Sequence, residues 1–306
     1  MIDYFFKKNR LLVLIYHRVL KEVDPYRPGD PTVAVFENQM DILKRYFNVL
    51  HIKDAIEALQ NNTIPPRAVT ITFDDGYLDN YTHALPIMEK AGLPFTIFVT
   101  TGYFNGECMW NDAIIELVKN YEGDTIDIEN TSLGVCEVRS VEQKVSCVKM
   151  LLKDFKYTPL AERYTRVESL AEILGMEMPK NLMMSEEVLY KVSTHNVEIG
   201  AHTVNHPILN MVNTEQAHSE IRESKKRLEH IINKKVDYFA YPNGKPGVDY
   251  SSQHVEIVMG EGFKAAFSTE ASIATTQSEI YQLPRIGPWH DTKISFSAWL
   301  VKMFCL

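Results

Sequence analysis

An α/β fold with a parallel sheet is predicted by the order of hydrophobic patterns along this 306-residue chain. Short apolar runs at residues 11–16, 68–73 and 95–100 alternate with helical patterns at residues 36–46 and 80–91. Strand, helix and strand in repetition imply parallel strands joined by helical crossovers. The length allows one α/β barrel or two smaller domains.

The second half of the chain returns to the same alternation after a stretch of different character. Strands are predicted at residues 197–199, 238–241 and 265–268, and helices at residues 214–232, 251–261 and 294–303. Residues 104–190 read as mostly helical, with one weak strand pair at residues 125–128 and 134–138. We therefore expect a single domain over residues 1–306 that carries residues 104–190 as a mainly helical insertion.

The composition excludes several classes of protein. The chain has 32 Lys+Arg against 40 Asp+Glu, which gives a net charge of −8. This balance argues against a nucleic-acid partner, which would call for a basic excess, and against a surface that binds anionic lipid. The four cysteines contain no C-x-x-C pair, so the sequence indicates neither a thiolate zinc site nor a redox motif.

Location is predicted from the apolar segments. The run at residues 11–16 is short for the hydrophobic region of a signal peptide, and it ends in His17-Arg18 rather than in a small-residue cleavage site. No segment approaches the roughly 18 apolar residues that span a bilayer. We expect a cytoplasmic protein without a transmembrane segment, placed in the cytoplasm or at the inner face of the membrane.

Two adjacent carboxylates, Asp74 and Asp75, end the predicted strand at residues 68–73 and precede Gly76. A hairpin turn is the alternative explanation, because Asp-Gly is a favoured hairpin dipeptide. The next segment is helical rather than a returning strand, so a hairpin fits poorly. Carboxylates at the C-terminal end of a parallel strand lie where α/β barrels carry their active sites, and this pattern favours such a site.

A histidine pair, His202 and His206, follows a later predicted strand with the spacing H-x-x-x-H. Pro207 disfavours a helical backbone at His206, so we expect the pair on a loop or first turn. Two imidazoles that face one point, with a third oxygen ligand, suit a catalytic zinc or a related divalent ion. The spacing alone is a weak signal, and the Asp-Asp-Gly in the same chain strengthens it.

These two motifs resemble those of a known family. The segments TFDDG at residues 72–76 and HTVNH at residues 202–206 are similar to the first two motifs of the polysaccharide deacetylases, carbohydrate esterase family 4, with the NodB homology domain. The resemblance implies a distorted (β/α) barrel, TIM-barrel-like, that removes acetyl groups from N-acetylated sugars. It also implies a divalent metal, Zn²⁺ first, with Co²⁺, Ni²⁺ or Mn²⁺ as alternatives. Asp74 would be the catalytic base, and Asp75, His202 and His206 the metal ligands.

A third motif is similar to a variant of the family pattern. The segment FAYPNG at residues 239–244 contains Tyr241 and Pro242, and Asp237-Tyr238 stands where many members have an arginine that orients the base. Arg285 is the candidate for that role, because an arginine fork can hold a carboxylate ionised. A surface ion pair is the alternative for Arg285.

The general acid has two candidates. The segment LIYH at residues 14–17 resembles the circularly permuted members of the family, and this resemblance favours His17. His290, followed by Asp291, is the competing candidate. Trp289 and Tyr241 are candidates for stacking on a sugar face, with plain packing as the alternative.

The predicted reaction is metal-assisted hydrolysis of the N-acetyl group of a sugar in a polysaccharide, an oligosaccharide or a glycolipid precursor. The metal polarises the acetyl carbonyl, Asp74 takes the proton of the attacking water, and His17 protonates the departing amine. Two alternatives stay open. One is a hydrolase of the same fold that acts on a non-sugar amide or an O-acetyl ester, and the other is a catalytically silent sugar-binding barrel.

Overall fold

The computed structural model describes residues 9–128 and 134–305 of the chain. These residues form two compact units. The first unit contains residues up to 22, residues 29–102 and residues from 184 onward, and the second contains residues 23–28 and 103–183. That residues 104–190 are an insertion into a single domain stays a prediction.

Ten strands and ten α-helices are named here in chain order. The strands are β1 (Arg10–Tyr16), β2 (Asn48–Val49), β3 (Ala68–Phe73), β4 (Phe95–Val99), β5 (Thr125–Ile128), β6 (Gly134–Glu137), β7 (Val197–Ala201), β8 (Tyr238–Ala240), β9 (Ala265–Phe267) and β10 (Ala274–Thr275). The helices are α1 (Val33–Tyr46), α2 (Ile52–Gln60), α3 (Leu85–Ala91), α4 (Trp110–Asn120), α5 (Val141–Phe155), α6 (Leu160–Leu174), α7 (Glu186–Val192), α8 (Thr214–Ile232), α9 (Ser252–Gly260) and α10 (Lys293–Cys305).

The first unit is built on one mixed sheet. Its strand order is β10-β1-β3-β4-β7-β8-β9, with β2 beside β3, and every pairing is parallel except that of β10 with β1. Residues 283–286 bridge β9 and β1, because Leu283 pairs with Phe267 and Ile286 pairs with Leu14. The strands thus form a distorted barrel with helical crossovers, and the predicted fold class is confirmed.

The central strands are buried on both faces. Every residue of β3 is buried, including Thr70 and Thr72 at 1% and 0% exposure. Parallel strands covered by helices read as continuous apolar runs rather than as alternating ones. The buried Thr72 hydroxyl donates a hydrogen bond to the Leu14 carbonyl oxygen at 2.8 Å, which satisfies it inside the sheet.

The structure differs from the sequence prediction at a few short elements. The helix predicted at residues 80–91 is a π-helical turn, Asn80–Ala84, followed by α3. The sequence did not predict β2, β10 or α7, which are two, two and seven residues long. These elements are shorter than the window of about 11 to 18 residues that is needed to detect hydrophobic periodicity.

The second unit consists of α4, α5, α6 and the antiparallel pair of β5 and β6 around their own core. Residues 23–28 join it through Arg27, whose guanidinium lies 2.9 Å from carboxylate oxygens of both Asp112 and Glu116. Over residues 9–128 and 134–305, no helix combines the length and the apolar composition that crossing a bilayer requires.

Gly200 of β7 is predicted to be essential for packing beside the site. A Cβ at this position would lie 2.4 Å from the Phe98 ring and 3.1 Å from the Tyr238 carbonyl oxygen. Because overpacking a dense core costs about 1–3 kcal/mol, we expect Gly200→Ala to lower the free energy of unfolding by about that amount. Urea denaturation measures the change.

The matched control is Gly260→Ala, at the end of α9, where an added Cβ meets nothing within 4 Å. This substitution should raise the free energy of unfolding by about 0.5–1 kcal/mol, since alanine loses less backbone entropy on folding. A Gly200→Ala protein as stable as the unsubstituted chain would show that the β7 packing is not as tight as described.

Candidate active site

The register of the parallel strands brings the predicted site residues to one edge of the sheet. Tyr16 of β1 pairs with Phe73 of β3, and the Asp74 N–H donates to the Tyr16 carbonyl oxygen at 2.9 Å. His17 therefore leaves β1 at the level where Asp74 leaves β3. His202 follows β7 in the same way, because all three strands run parallel.

Asp75, His202 and His206 form a group that could hold a metal ion. Oδ1 of Asp75 lies 3.5 Å from Nε2 of His202 and 3.5 Å from Nε2 of His206, and one ligand atom of each residue lies within 4.8 Å of the others. Two atoms that each bind a tetrahedral ion at about 2.1 Å are about 3.4 Å apart. The spacing and the set of two nitrogens and one oxygen fit a catalytic divalent ion, with room for a further ligand.

The His202 ring is oriented by the end of β8. Its Nδ1 lies 2.7 Å from the Ala240 carbonyl oxygen, and a carbonyl only accepts, so Nδ1 carries the proton and Nε2 presents its lone pair toward Asp75. Burial lowers the pKa of His202 to about 4. The imidazole therefore stays neutral at physiological pH, which is the form that binds a metal.

The loop that carries His206 is held by α8. Thr203 and His206 have φ values of 65° and 51°, so the segment turns through left-handed conformations instead of forming a helix, as the sequence predicts. Glu220 accepts hydrogen bonds from the backbone N–H groups of Val204 and Asn205, each at 2.8 Å, and from the Asn205 amide at 2.7 Å. One carboxylate thus fixes a loop whose backbone would otherwise be strained.

Arg285 makes a two-pronged ion pair with Asp74. Its Nη1 and Nη2 donate to Oδ1 and Oδ2 of Asp74 at 2.6 and 2.7 Å, and its Nε donates to the Ser268 carbonyl oxygen at 3.0 Å. Arg285 is 1% exposed, so a surface ion pair does not describe this contact. Burial alone would raise the pKa of Asp74, but the guanidinium outweighs it and lowers the pKa to about 2.

His17 lies beside Asp74 and is held through its backbone. The exposed His17 side chain is near enough to contribute to the lowered pKa of Asp74, and its carbonyl oxygen accepts from Asn80 Nδ2 at 2.8 Å. Asp79 accepts from the Val19 N–H at 3.2 Å and from Arg18 Nε at 2.8 Å. The π-helical turn after the Asp-Asp-Gly segment thus anchors the residues that follow β1.

The remaining predicted residues lie in different surroundings. The His290 ring packs against Trp299 of α10, with ring centroids 5.3 Å apart. Trp289 is 73% exposed and its ring lies directly over the backbone of Gly287. Pro242 is buried next to Tyr241.

Tyr241 does not offer a ring face to a sugar, so the stacking interpretation is wrong for this residue. Its side chain is fully buried at 0% exposure, its ring stacks on Tyr250 with centroids 3.8 Å apart, and its hydroxyl donates to the Tyr281 carbonyl oxygen at 3.0 Å. Plain packing, the alternative considered for this position, describes it. The sequence position of Tyr241, directly after a predicted strand, does not indicate how deeply its ring is buried.

Three residues of the site region were not predicted from the sequence: Glu220, Asp79 and Asn80. Each bonds to backbone groups of a remote segment, as described above, and hydrogen bonds of this kind leave no spacing pattern. The sequence offered one local signal: Asp79 and Asn80 are two adjacent polar residues at the start of a predicted helix, directly after the Asp-Asp-Gly segment. In the structure both side chains are buried.

The model of the polysaccharide deacetylase family matches residues 61–265, about two thirds of the chain. The chain belongs to the polysaccharide deacetylase family. The family membership predicted from the two motifs is thereby confirmed. That the chain is of the circularly permuted type, with its Tyr-His motif at residues 16–17, stays a prediction.

Relatives of this polysaccharide deacetylase cover most of its length. The poly-beta-1,6-N-acetyl-D-glucosamine N-deacetylase of Staphylococcus aureus is 23% identical over 297 residues, which cover 92% of this chain and 79% of the relative. The structure of the Streptococcus pyogenes deacetylase PplD in complex with acetate matches with a TM-score of 0.64 and 19% identity, over 97% of this chain and 99% of that one. The structure of IcaB from Ammonifex degensii matches with a TM-score of 0.64 and 20% identity, over 96% and 98%. These two likenesses show a shared fold.

Glu220 is predicted to control the metal affinity of the deacetylase through the loop that carries His206. Glu220→Gln replaces one acceptor oxygen by an N–H₂ group, so the remaining oxygen can accept from the backbone N–H groups of residues 204 and 205 or from the Asn205 amide, but not from all three. Loss of such a supporting contact typically costs 10- to 100-fold in metal affinity. We expect the dissociation constant for Zn²⁺ to rise by about that factor in a competition titration with a chromophoric chelator.

The control is Glu215→Gln, an exposed glutamate in the first turn of the same helix. It removes the same charge from α8 without touching the loop and should leave the affinity for Zn²⁺ unchanged. If both variants bind Zn²⁺ as the unsubstituted protein does, Glu220 does not position His206.

Proposed function

We propose that this polysaccharide deacetylase hydrolyses the N-acetyl group of an N-acetylated sugar with the help of a divalent metal, Zn²⁺ first. One observation carries the proposal: the Asp75, His202 and His206 group lies directly beside a carboxylate, Asp74, whose Oδ2 is 3.8 Å from His202 Nε2. A metal-ligand group and a separate ionised base at one point are what metal-assisted hydrolysis of an amide requires.

The metal would be held by Oδ1 of Asp75 and by Nε2 of the two histidines. When bound, such an ion polarises a carbonyl and lowers the pKa of water. The protein contributes the orientation of these ligands, since Ala240 fixes the His202 ring and Glu220 fixes the loop of His206.

Asp74 is proposed as the base that accepts the proton of the attacking water. Arg285 lowers the pKa of Asp74 and so keeps its carboxylate ionised. The two parallel hydrogen bonds from Arg285 also prevent the carboxylate from turning away from the metal-ligand group. Orientation of this kind is a large part of catalysis by a general base, because the proton must lie within hydrogen-bond reach.

His17 is proposed as the acid that protonates the departing amine of the sugar. It is exposed at the mouth of the site, whereas Asp74 is 2% exposed below it. An exposed imidazole can take up a proton from solvent between turnovers, and its ordinary pKa lies near neutral pH. Trp289, with most of its indole accessible, supplies a surface on which a sugar ring could stack.

The proposed substrate is a polysaccharide or oligosaccharide that contains N-acetylglucosamine. The Staphylococcus aureus relative is named for poly-beta-1,6-N-acetyl-D-glucosamine, and the Streptococcus pyogenes structure holds acetate, the product that a deacetylase would release. A silent sugar-binding barrel is disfavoured, because the predicted base and all three predicted metal ligands are present and lie together. A location in the cytoplasm or at the inner face of the membrane stays a prediction.

The test is release of acetate from a panel of substrates by the Zn²⁺-loaded protein. The panel contains β-1,6-linked and β-1,4-linked N-acetylglucosamine oligosaccharides, an O-acetylated sugar and a non-sugar N-acetyl compound. We expect acetate and free amine in equal amounts from an N-acetylglucosamine oligosaccharide. Release only from the O-acetylated sugar, or only from the non-sugar amide, would reject the proposed substrate class.

Asp74→Asn is the control for that assay. The amide keeps the size of the side chain but cannot take a proton, so acetate release should fall by about 10²- to 10⁴-fold, while the zinc content of the purified protein stays near that of the unsubstituted chain. An Asp74→Asn protein with bound zinc and full activity would remove Asp74 from the mechanism.

His17→Ala and His290→Ala separate the two candidates for the general acid. We expect His17→Ala to lower kcat by about 10²- to 10⁴-fold with unchanged zinc content, because the amine then leaves without a proton donor. His290→Ala should retain most of the activity, since the His290 ring packs on Trp299. The reverse result in the acetate assay would assign the acid to His290.

A further inference from the structure

The exposed Trp289 lies at the tip of a tight turn. The His290 N–H donates to the Pro288 carbonyl oxygen at 2.7 Å, which makes residues 288–290 a three-residue turn with Trp289 at its centre. Trp289 is 73% exposed. A ring in this position keeps one orientation only if the turn beneath it is held, because ordering a free loop and side chain costs conformational entropy.

Gln39 of α1 holds both ends of this turn. Its Nε2 donates to the Pro288 carbonyl oxygen at 3.2 Å and to the His290 carbonyl oxygen at 3.0 Å, and its Oε1 accepts from the Tyr16 hydroxyl at 2.9 Å. Gln39 is 2% exposed, and a buried amide is costly unless it is hydrogen-bonded. Both N–H groups of this amide bond to the backbone on either side of Trp289.

The Trp289 ring rests on glycine backbones. A Cβ at Gly287 would lie 2.7 Å from Cε2 and 2.9 Å from Nε1 of Trp289, and a Cβ at Gly29 would lie 3.5 Å from Nε1. The contact at Gly287 is too close for any side chain. The ring is therefore supported from below by the backbone, while most of its surface faces solvent.

The register of the sheet places this ring beside the proposed acid. Ile286 forms a parallel bridge with Leu14. Trp289 lies three residues beyond Ile286, just as His17 lies three residues beyond Leu14. Both residues therefore leave the sheet at the same edge, which is also the edge from which Asp74 leaves β3.

We infer that Gln39 is a positioning residue for the substrate, which fixes the Trp289 ring as a platform for a sugar of the polymer. The inference rests on the function proposed above. Sugar rings present faces of C–H groups that an aromatic ring can bury. A platform that is ordered before the sugar arrives binds it more tightly than a loose one, because less ordering accompanies binding. Gln39 acts through Trp289 and not on the reacting atoms, so its loss should weaken binding and leave the chemical step intact.

The test is the split between KM and kcat in acetate release from an N-acetylglucosamine oligosaccharide by the Zn²⁺-loaded protein. Gln39→Leu keeps the approximate volume of the side chain but can neither donate to the two carbonyl oxygens nor accept from Tyr16. We expect a KM that is about five- to ten-fold higher and a kcat within about two-fold of that of the unsubstituted chain. Trp289→Ala should raise KM at least as much, and the double variant should be no worse than Trp289→Ala, because both changes act through one platform.

Two further variants and a control complete the set. Gly287→Ala leaves α1 intact and should also raise KM, since the added Cβ would displace the indole. If Gln39→Leu does not fold, Gln39→Asn replaces it, because this amide is one methylene too short to reach both carbonyl oxygens, and the same rise in KM is expected. The matched control is Gln253→Leu, which removes an amide that donates from α9 to the Thr214 hydroxyl of α8 at 2.8 Å. It should leave KM and kcat unchanged.

Three results would overturn the inference and leave the proposed function standing. They are an unchanged KM in Trp289→Ala, an unchanged KM in the Gln39 variant, and a Gln39 variant that lowers kcat without raising KM, which would mark a purely structural role. In each case the unsubstituted chain still releases acetate. If that chain releases none from any N-acetylglucosamine oligosaccharide, the proposed function and this inference are both overturned.

Discussion

The buried ion pair between Asp74 and Arg285 is the contact on which the site depends. Taking two charges out of water is costly, and only good geometry with further hydrogen bonds offsets the cost. The pair meets both conditions, because both carboxylate oxygens are used and the guanidinium also donates to the Ser268 carbonyl. Since residues 283–286 bridge β9 and β1, the pair joins the end of β3 to the segment that completes the barrel. The segment that completes the barrel therefore also orients Asp74.

The other site residues are held by neighbours in the same manner. His202 is oriented by the end of β8, the loop of His206 by α8, and the backbone of His17 by the turn that follows Asp75. Each of these segments thus leaves one element and is held by another. A site assembled in this way tolerates little movement of any strand. For this reason a single methyl group added at Gly200, two residues before His202, is expected to disturb the site as well as lower the free energy of unfolding.

The sequence predicted the parts of this site that carry a local signal. Asp74 and Asp75 end an apolar strand, and His202 and His206 have a recognisable spacing, so both pairs could be assigned to one metal-dependent site. Arg285 was a candidate partner of Asp74 in the sequence, with a surface ion pair as the alternative, and only the fold, which brings the two together across 211 residues, decides between them. Glu220 and Asn80 act on the backbone of remote segments, which leaves no trace in residue spacing. For Tyr241 the sequence left stacking and plain packing open, because a motif does not show how deeply a ring is buried.

Net charge was the least informative part of the sequence. A value of −8 argues against anionic lipid only if the charges are spread evenly, and they are not. Over the described residues, five lysines pair with carboxylates within 4.0 Å, namely Lys90, Lys119, Lys191, Lys226 and Lys264, and the other lysines have no such partner. Local charge must therefore be evaluated on the folded surface.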